Sequence, residues 1–190
     1  MAVFFLVVAG AVVYSFNLNN PLFWDDDDWI INNSSVHSLT WDNVKFWFTH
    51  NTLAGVGLKS NYYRPFLFFT FALNYIVAGV KPLIWHLTSN LIHLANGILV
   101  FSILYLVFRK KLIAFITALI FLIPPLQTEA VAYISGRGDP LVVFFMLLAL
   151  WQMFRGSTSK HLIGKVLPIV FLIFALLSRE TAIIFPFLAM

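Results

Sequence analysis

The 190-residue chain has no cysteine. That excludes a disulfide frame, a thiolate metal site and a cysteine nucleophile, and leaves the compartment open. Charge is scarce too. Only 11% of residues are Asp, Glu, Lys or Arg, and eight of them are acidic. With 61% hydrophobic residues, 21 phenylalanines and a mean hydropathy of +0.88, the chain does not read as a soluble domain. It reads as an all-α membrane protein with several spans. The net charge of +4 is no nucleic-acid signal, because in such a chain the placement of Lys and Arg reports topology. The first residues carry no basic region and no small-residue cleavage site follows them, so no secretory signal peptide is expected. The chain stops inside the apolar run Phe185 to Met190, which reads as a truncation. No internal repeat or low-complexity segment is present.

Half of the acids sit together in Trp24-Asp25-Asp26-Asp27-Asp28-Trp29, directly after an apolar run. Aromatic residues at such a boundary are ordinary belt anchors. Four adjacent carboxylates repel one another and need a cation, a helix N-terminus or a catalytic use to offset that repulsion. A solvated loop with an Asp cap is the plain alternative. Hard cations favour oxygen ligands, so a divalent metal on the cluster is a further one.

Taken in order, the expected spans are 2–18, 84–108, 112–132, 141–154 and 161–177, with a sixth starting at 182–190. Pro124-Pro125 should kink or end the third. Residues 19–83 form a long polar segment. Within it Trp41, Val44, Lys45 and Phe48 have helical spacing, and 66–78 is apolar but too short for a comfortable span. Polar turns are expected at 135–140 and 178–181, and a loop at 155–160. If 66–78 lies on the surface, one side of the membrane holds Arg109, Lys110, Lys111, Arg155, Lys160 and Lys165 with no acid. The other side holds every acid. The excess of basic residues assigns the first side to the cytoplasm.

This topology gathers Asp25 to Asp28, Arg64, Glu129, Arg137, Asp139, Arg179 and Glu180 at the outer face. Ionisable groups at the ends of apolar helices are costly unless paired or used. A carboxylate can act as general base on a hydroxyl, and arginine presents a planar fork to phosphate. Arg137 with Asp139 could equally be a local ion pair at a capped turn, and Arg179-Glu180 a helix end. His86, Asn90 and His93 share one helix face. His86 sits near the outer end and could line the site, whereas His93 reads as helix packing.

These residues fall in an order that resembles a family. The order is Trp24-Asp25-Asp26, Tyr63-Arg64-Pro65, Asn74-Tyr75, His86-Leu87, Thr128-Glu129-Ala130, Gly136-Arg137 with Asp139, and Ser178-Arg179-Glu180-Thr181. The chain resembles the N-terminal part of the transmembrane and tetratricopeptide-repeat O-mannosyltransferases and their prokaryotic relatives. More distantly it is similar to the wider GT-C glycosyltransferases. The resemblance implies a partial GT-C transmembrane domain over 1–190. It implies a polyprenyl-phosphate-linked sugar donor, with mannose the sugar, and a protein acceptor whose Ser or Thr hydroxyl is activated by Asp25 or Asp26. Arg137, with Arg64 or Arg179, would hold the lipid phosphate, and Glu129, Asp139, Glu180 and His86 would line the site. The active face would be the periplasm of a bacterial inner membrane or the lumen of the endoplasmic reticulum. Where the family has histidines ahead of its Thr-Glu pair, Pro124 and Gln127 stand here, and its Ser-Lys-Glu is Ser178-Arg179-Glu180. No nucleic-acid partner is expected. The competing readings are a transporter or a non-catalytic assembly subunit that binds an anionic solute or partner at the outer surface. A transporter should show broken or charged helices at mid-membrane, and apart from Pro124-Pro125 these spans lack them.

Because the chain lacks cysteine, its topology is directly testable. Lys110→Cys in intact membranes should react with a membrane-impermeant thiol reagent only from the cytoplasmic side, and labelling from outside would overturn the assignment.

Overall fold

The computed structural model of the chain describes residues 1–156 and 162–188. They are helical, without strands. The elements are α1 (Ala2–Tyr14), α2 (Trp41–Thr49), α3 (Pro65–Ala78), α4 (Pro82–Phe108), α5 (Lys111–Leu122), α6 (Thr128–Ala132), α7 (Gly138–Gly156), α8 (Leu162–Ser178) and the short α9 (Phe185–Leu188). Boundaries follow local chemistry. Thr40 caps α2 by accepting from the Asn43 N–H. Pro65 and Pro82 open α3 and α4, where a missing N–H costs nothing. Gly79 ends α3 at φ 56°, a conformation that suits glycine, and its carbonyl accepts from the Trp85 indole at 2.8 Å. That bond fixes the sharp turn from α3 into α4.

Two helical stretches among the described residues, Pro82–Phe108 and Ser135–Arg155, are long and apolar enough to cross a bilayer. A third crossing exists if Lys111–Leu122 and Pro125–Ala132 count as one span, bent by 52°. The bend falls at Pro124, as proline's lost donor and steric clash require. Among the described residues, the helices at the other expected spans fall short of this length. α1 has 13 residues before a 3-10 turn at Ser15–Asn17, and residues 180–184 form a 3-10 turn where the sixth span was expected to begin. The expected polar turn at 135–140 is also different. Ser135–Arg137 is a 3-10 turn that runs directly into α7, so Asp139 lies in the first turn of that helix. Most of the expected loop at 155–160, and the start of the fifth span at 161, lie outside the described residues.

α7 packs on α8 and α4, and α4 on α5 and α1. Near the cleft, Trp29, Ile30, Leu67, Phe71, Trp85 and Ile134 form one core that seats the acidic loop on α3 and α4. At the α1–α4–α5 crossing, Leu122 is wholly buried. It fills the space left by Gly10 and Gly97, where an added Cβ would lie 3.2 Å from a Leu122 methyl in each case. Small residues let the backbones approach, and Leu122 takes up the slack. The expected polar stripe on α4 is there. Asn90 bonds the Asn17 side chain and the Tyr14 carbonyl, and His93 meets Tyr14 and the Leu122 carbonyl.

Leu122→Ala should therefore lower stability by about 2–4 kcal/mol, as a buried cavity does. Gly97→Ala should recover part of that loss in the Leu122→Ala background while giving no gain in the parent. Thermal unfolding in detergent checks both.

Candidate functional site

The acidic cluster does not behave as one unit, because the backbone turns within it. Trp24 takes φ 56°, a left-handed conformation unusual for a bulky residue. The next residues wind into a π-helical turn, Asp27–Ile31. Asp25 is left exposed and Asp26 is wholly buried. The Asp26 carboxylate reaches back to accept from the Phe23 N–H at 3.1 Å, bridging the Trp24 turn. Its other oxygen accepts from the Ser135 N–H at 2.8 Å and the Ser135 hydroxyl at 2.5 Å. Burial pushes the Asp26 carboxyl above its usual range, while the bonds from Ser135 and Phe23 pull the other way.

Beneath Asp26 lies Arg137, also wholly buried. Its guanidinium donates to the Ser89 hydroxyl at 3.0 Å, the Trp85 carbonyl at 2.9 Å and the Thr70 hydroxyl at 3.4 Å. It also lies over the Phe71 and Trp85 rings, 5.1 and 5.4 Å from their centroids. Asp26 is close enough for its charge to act on both Arg137 and the buried His86 ring. His86 meets the Asn20 carbonyl at 2.9 Å. Arg137 does not pair with Asp139; its donors tie α3, α4 and α7 together instead.

Above this buried layer is an open cleft of about 210 Å3. Asp25, Arg64, Glu129, Asp139 and Arg179 line it, with Tyr133, Ser135 and Gly136 on the same wall. Tyr133 is the residue that motif reading missed. Its signal is spacing, since it stands four residues after Glu129 at the end of α6. Its hydroxyl accepts from the Asp25 N–H at 3.1 Å and faces the Asp25 carboxylate. Burial, then Asp25, pushes the Tyr133 hydroxyl up to about 12, so it stays protonated beside Asp25.

The cleft arginines are both held by acids. Arg64, the residue before α3, makes a forked pair with Glu180, Nε to Oε2 at 3.1 Å and Nη2 to Oε1 at 2.6 Å. It also packs over Tyr62 at 4.6 Å. The Arg64 bonds hold the Glu180 carboxyl below its usual range. Arg179 pairs with Asp139 across the ends of α8 and α7. Glu180 thus stands behind the cleft, acting through Arg64. No group of three or more His, Asp or Glu among the described residues is arranged to hold a metal ion.

On the far side of the Asp139–Arg179 pair an apolar groove of about 370 Å3 runs along α7, lined by Val142, Met146, Leu150 and Phe185. Asp139 borders both groove and cleft. A polar cleft with paired cations therefore borders an apolar groove at Asp139.

The two neighbouring carboxylates should separate in experiment. Asp26→Asn leaves one oxygen to serve both Ser135 and Phe23 and removes the anion near Arg137, so it should cost about 2–4 kcal/mol. Asp25→Asn should leave thermal unfolding unchanged. Parallel melting curves of the two variants decide this.

No protein-family model matches the chain, and no solved structure does. Among curated proteins it is 33% identical over 173 residues to the protein O-mannosyl-transferase TMTC1 of Homo sapiens, covering 86% of this chain and 19% of that protein. It is 30% identical over 176 residues to Tmtc1 of Drosophila melanogaster, covering 90% and 20%. It is 30% identical over 181 residues to TMTC4 of Homo sapiens, covering 82% and 24%. The chain thus spans about a fifth of the length of these relatives. The resemblance to the transmembrane and tetratricopeptide-repeat O-mannosyltransferases, first read from ordered motifs, therefore rests on identity along most of the chain.

Proposed function

We propose that this chain forms the outer-face part of the active site of a membrane glycosyltransferase. It moves a sugar, mannose by its relatives' names, from a polyprenyl-phosphate donor to a protein Ser or Thr hydroxyl. The fold proposed with it is a partial GT-C membrane domain, with the site facing the lumen or periplasm. The observation that carries the reading is the position of Asp139 and Arg179. Arg179 lines the cleft that holds Asp25, and Asp139, its partner, also borders the apolar groove. A lipid phosphate needs that combination: a cation at the mouth of an apolar channel, with a base alongside.

In this mechanism Asp25, the exposed carboxylate, takes the proton of the acceptor hydroxyl as its oxygen attacks the anomeric carbon. The bond from that carbon to the phosphate oxygen breaks on the opposite side, inverting the centre, and the lipid phosphate leaves with the electron pair. Tyr133 orients Asp25 by accepting from its backbone N–H, with the hydroxyl beside the carboxylate. Arg179 exchanges Asp139 for the phosphate, and Arg64 adds a second cation to the cleft. Their charge offsets the negative charge that grows on the leaving group. Asp26 and Arg137 are positioning residues, because neither reaches the cleft surface.

The full-length parent in membranes, supplied with labelled polyprenyl-phosphate mannose, tests the reading. Asp25→Asn should lower transfer by about 100-fold or more. Tyr133→Phe should lower kcat about tenfold with little change in donor KM. Arg179→Ala should raise donor KM. Wild type that transfers no sugar, or an Asp25→Asn variant equal to it, would overturn the proposal.

A further inference from the structure

A second cavity, of about 160 Å3, lies one layer deeper between α4, the α5–α6 bend and the start of α7. His93, Asn96, Phe121, Gln127, Asp139 and Pro140 line it. Asn96 is wholly buried. Its Nδ2 donates to the Pro140 carbonyl at 2.8 Å, and its Oδ1 has no hydrogen-bond partner. Turning the amide over would set two carbonyl oxygens against each other, so Oδ1 is the unsatisfied atom. A buried carbonyl left unpaired is expensive and calls for an occupant that donates. His93 adds a second acceptor. Its Nε2 faces the Leu122 carbonyl at 3.0 Å and so carries the proton, leaving Nδ1 bare. The Asp139 carboxylate adds a third, at the edge shared with the cleft.

These acceptors define the ligand class. No cationic side chain lines the cavity, so an anion would meet no compensating charge there. The volume is about five times the ~30 Å3 share of one water, which suits a ring rather than a single solvent molecule. Apart from Gln127 the remaining walls are apolar, and the Phe121 ring stacks on His93 at 5.3 Å. Acceptors for several O–H groups beside an aromatic wall for C–H groups match a neutral polyhydroxyl ring.

We propose that this cavity is the subsite for the glycosyl ring of the donor, with Asn96 Oδ1 reading one of its hydroxyls and Gln127 standing at the bend beside it. The inference rests on the glycosyltransferase reading above and deepens it. Asp139 joins the two spaces: the phosphate takes the Arg179 side and the ring the Asn96 side. Specificity then comes from a buried acceptor. A donor lacking the matching hydroxyl leaves Oδ1 unpaired, and such sites discriminate strongly.

The test uses the full-length parent with a mannosyl polyprenyl phosphate and its set of monodeoxy analogues, against wild type, Asn96→Leu and Gln127→Leu. In wild type one analogue should show a KM raised about tenfold, the loss of a single hydrogen bond of roughly 1.4 kcal/mol. In Asn96→Leu that penalty should vanish, because intact and deoxy donors become equally poor. Gln127→Leu, on the α5–α6 bend, should reduce the penalty at a different hydroxyl, and it reports even if Asn96→Leu does not fold. A purely structural role lowers all donors alike and leaves each penalty in place. Wild-type transfer with every deoxy penalty unchanged in the variants would overturn the subsite and mark the cavity as water-filled. Wild type that moves no sugar from any of these donors would instead overturn the glycosyltransferase reading, and the subsite with it.

Discussion

The site depends on one buried carboxylate. Taking Asp26 out of water is costly, and the protein offsets that cost with two N–H groups and a hydroxyl, plus a buried guanidinium close by. These partners come from two parts of the chain, the acidic loop and the Ser135–Arg137 turn. Phe23 holds the acidic loop, Ser135 the entrance to α7, and Arg137 the junction of α3, α4 and α7. A charge that is so costly to leave unpaired fixes all of them in one arrangement. The left-handed Trp24 and the π-turn after it are the local strain that this arrangement sustains.

That anchor sets the geometry of the cleft above it. With Asp26 turned in, its neighbour Asp25 is turned out, toward Tyr133 and the cleft. The arginines there are already held by carboxylates, Arg64 by Glu180 and Arg179 by Asp139. Such pairs keep the cations oriented before an anion arrives. In the proposed reaction a phosphate would replace a carboxylate rather than order a loose side chain, which lowers the entropic cost of binding.

Apolar surface does the complementary task. The groove along α7 and the deeper cavity behind Asp139 share that one residue with the polar cleft. Three environments therefore meet at the first turn of α7: a charged cleft, an apolar wall and a pocket lined by acceptors. Gly138 lies in the same turn. It is buried between α3 and the end of α8, where an added Cβ would lie 3.6 Å from the Ser178 carbonyl and 3.7 Å from a Leu67 methyl.

By itself the sequence determined the all-helical class, the helix opening at Trp41, the short apolar helix before Gly79, the break at Pro124 and most of the charged residues that gather at the cleft. Periodicity, proline chemistry and charge distribution act locally, so they can be read one segment at a time. Tertiary structure alone decided which carboxylate faces the cleft, since Asp25 and Asp26 are chemically identical and only the Trp24 turn and Ser135 tell them apart. It also moved Arg137 from an exposed turn to the interior, because its partners Ser89, Thr70 and Trp85 lie on other helices. Tyr133 and Asn96 went unread for the same reason. Their roles depend on what stands opposite them in space, and even the four-residue step from Glu129 to Tyr133 does not encode that.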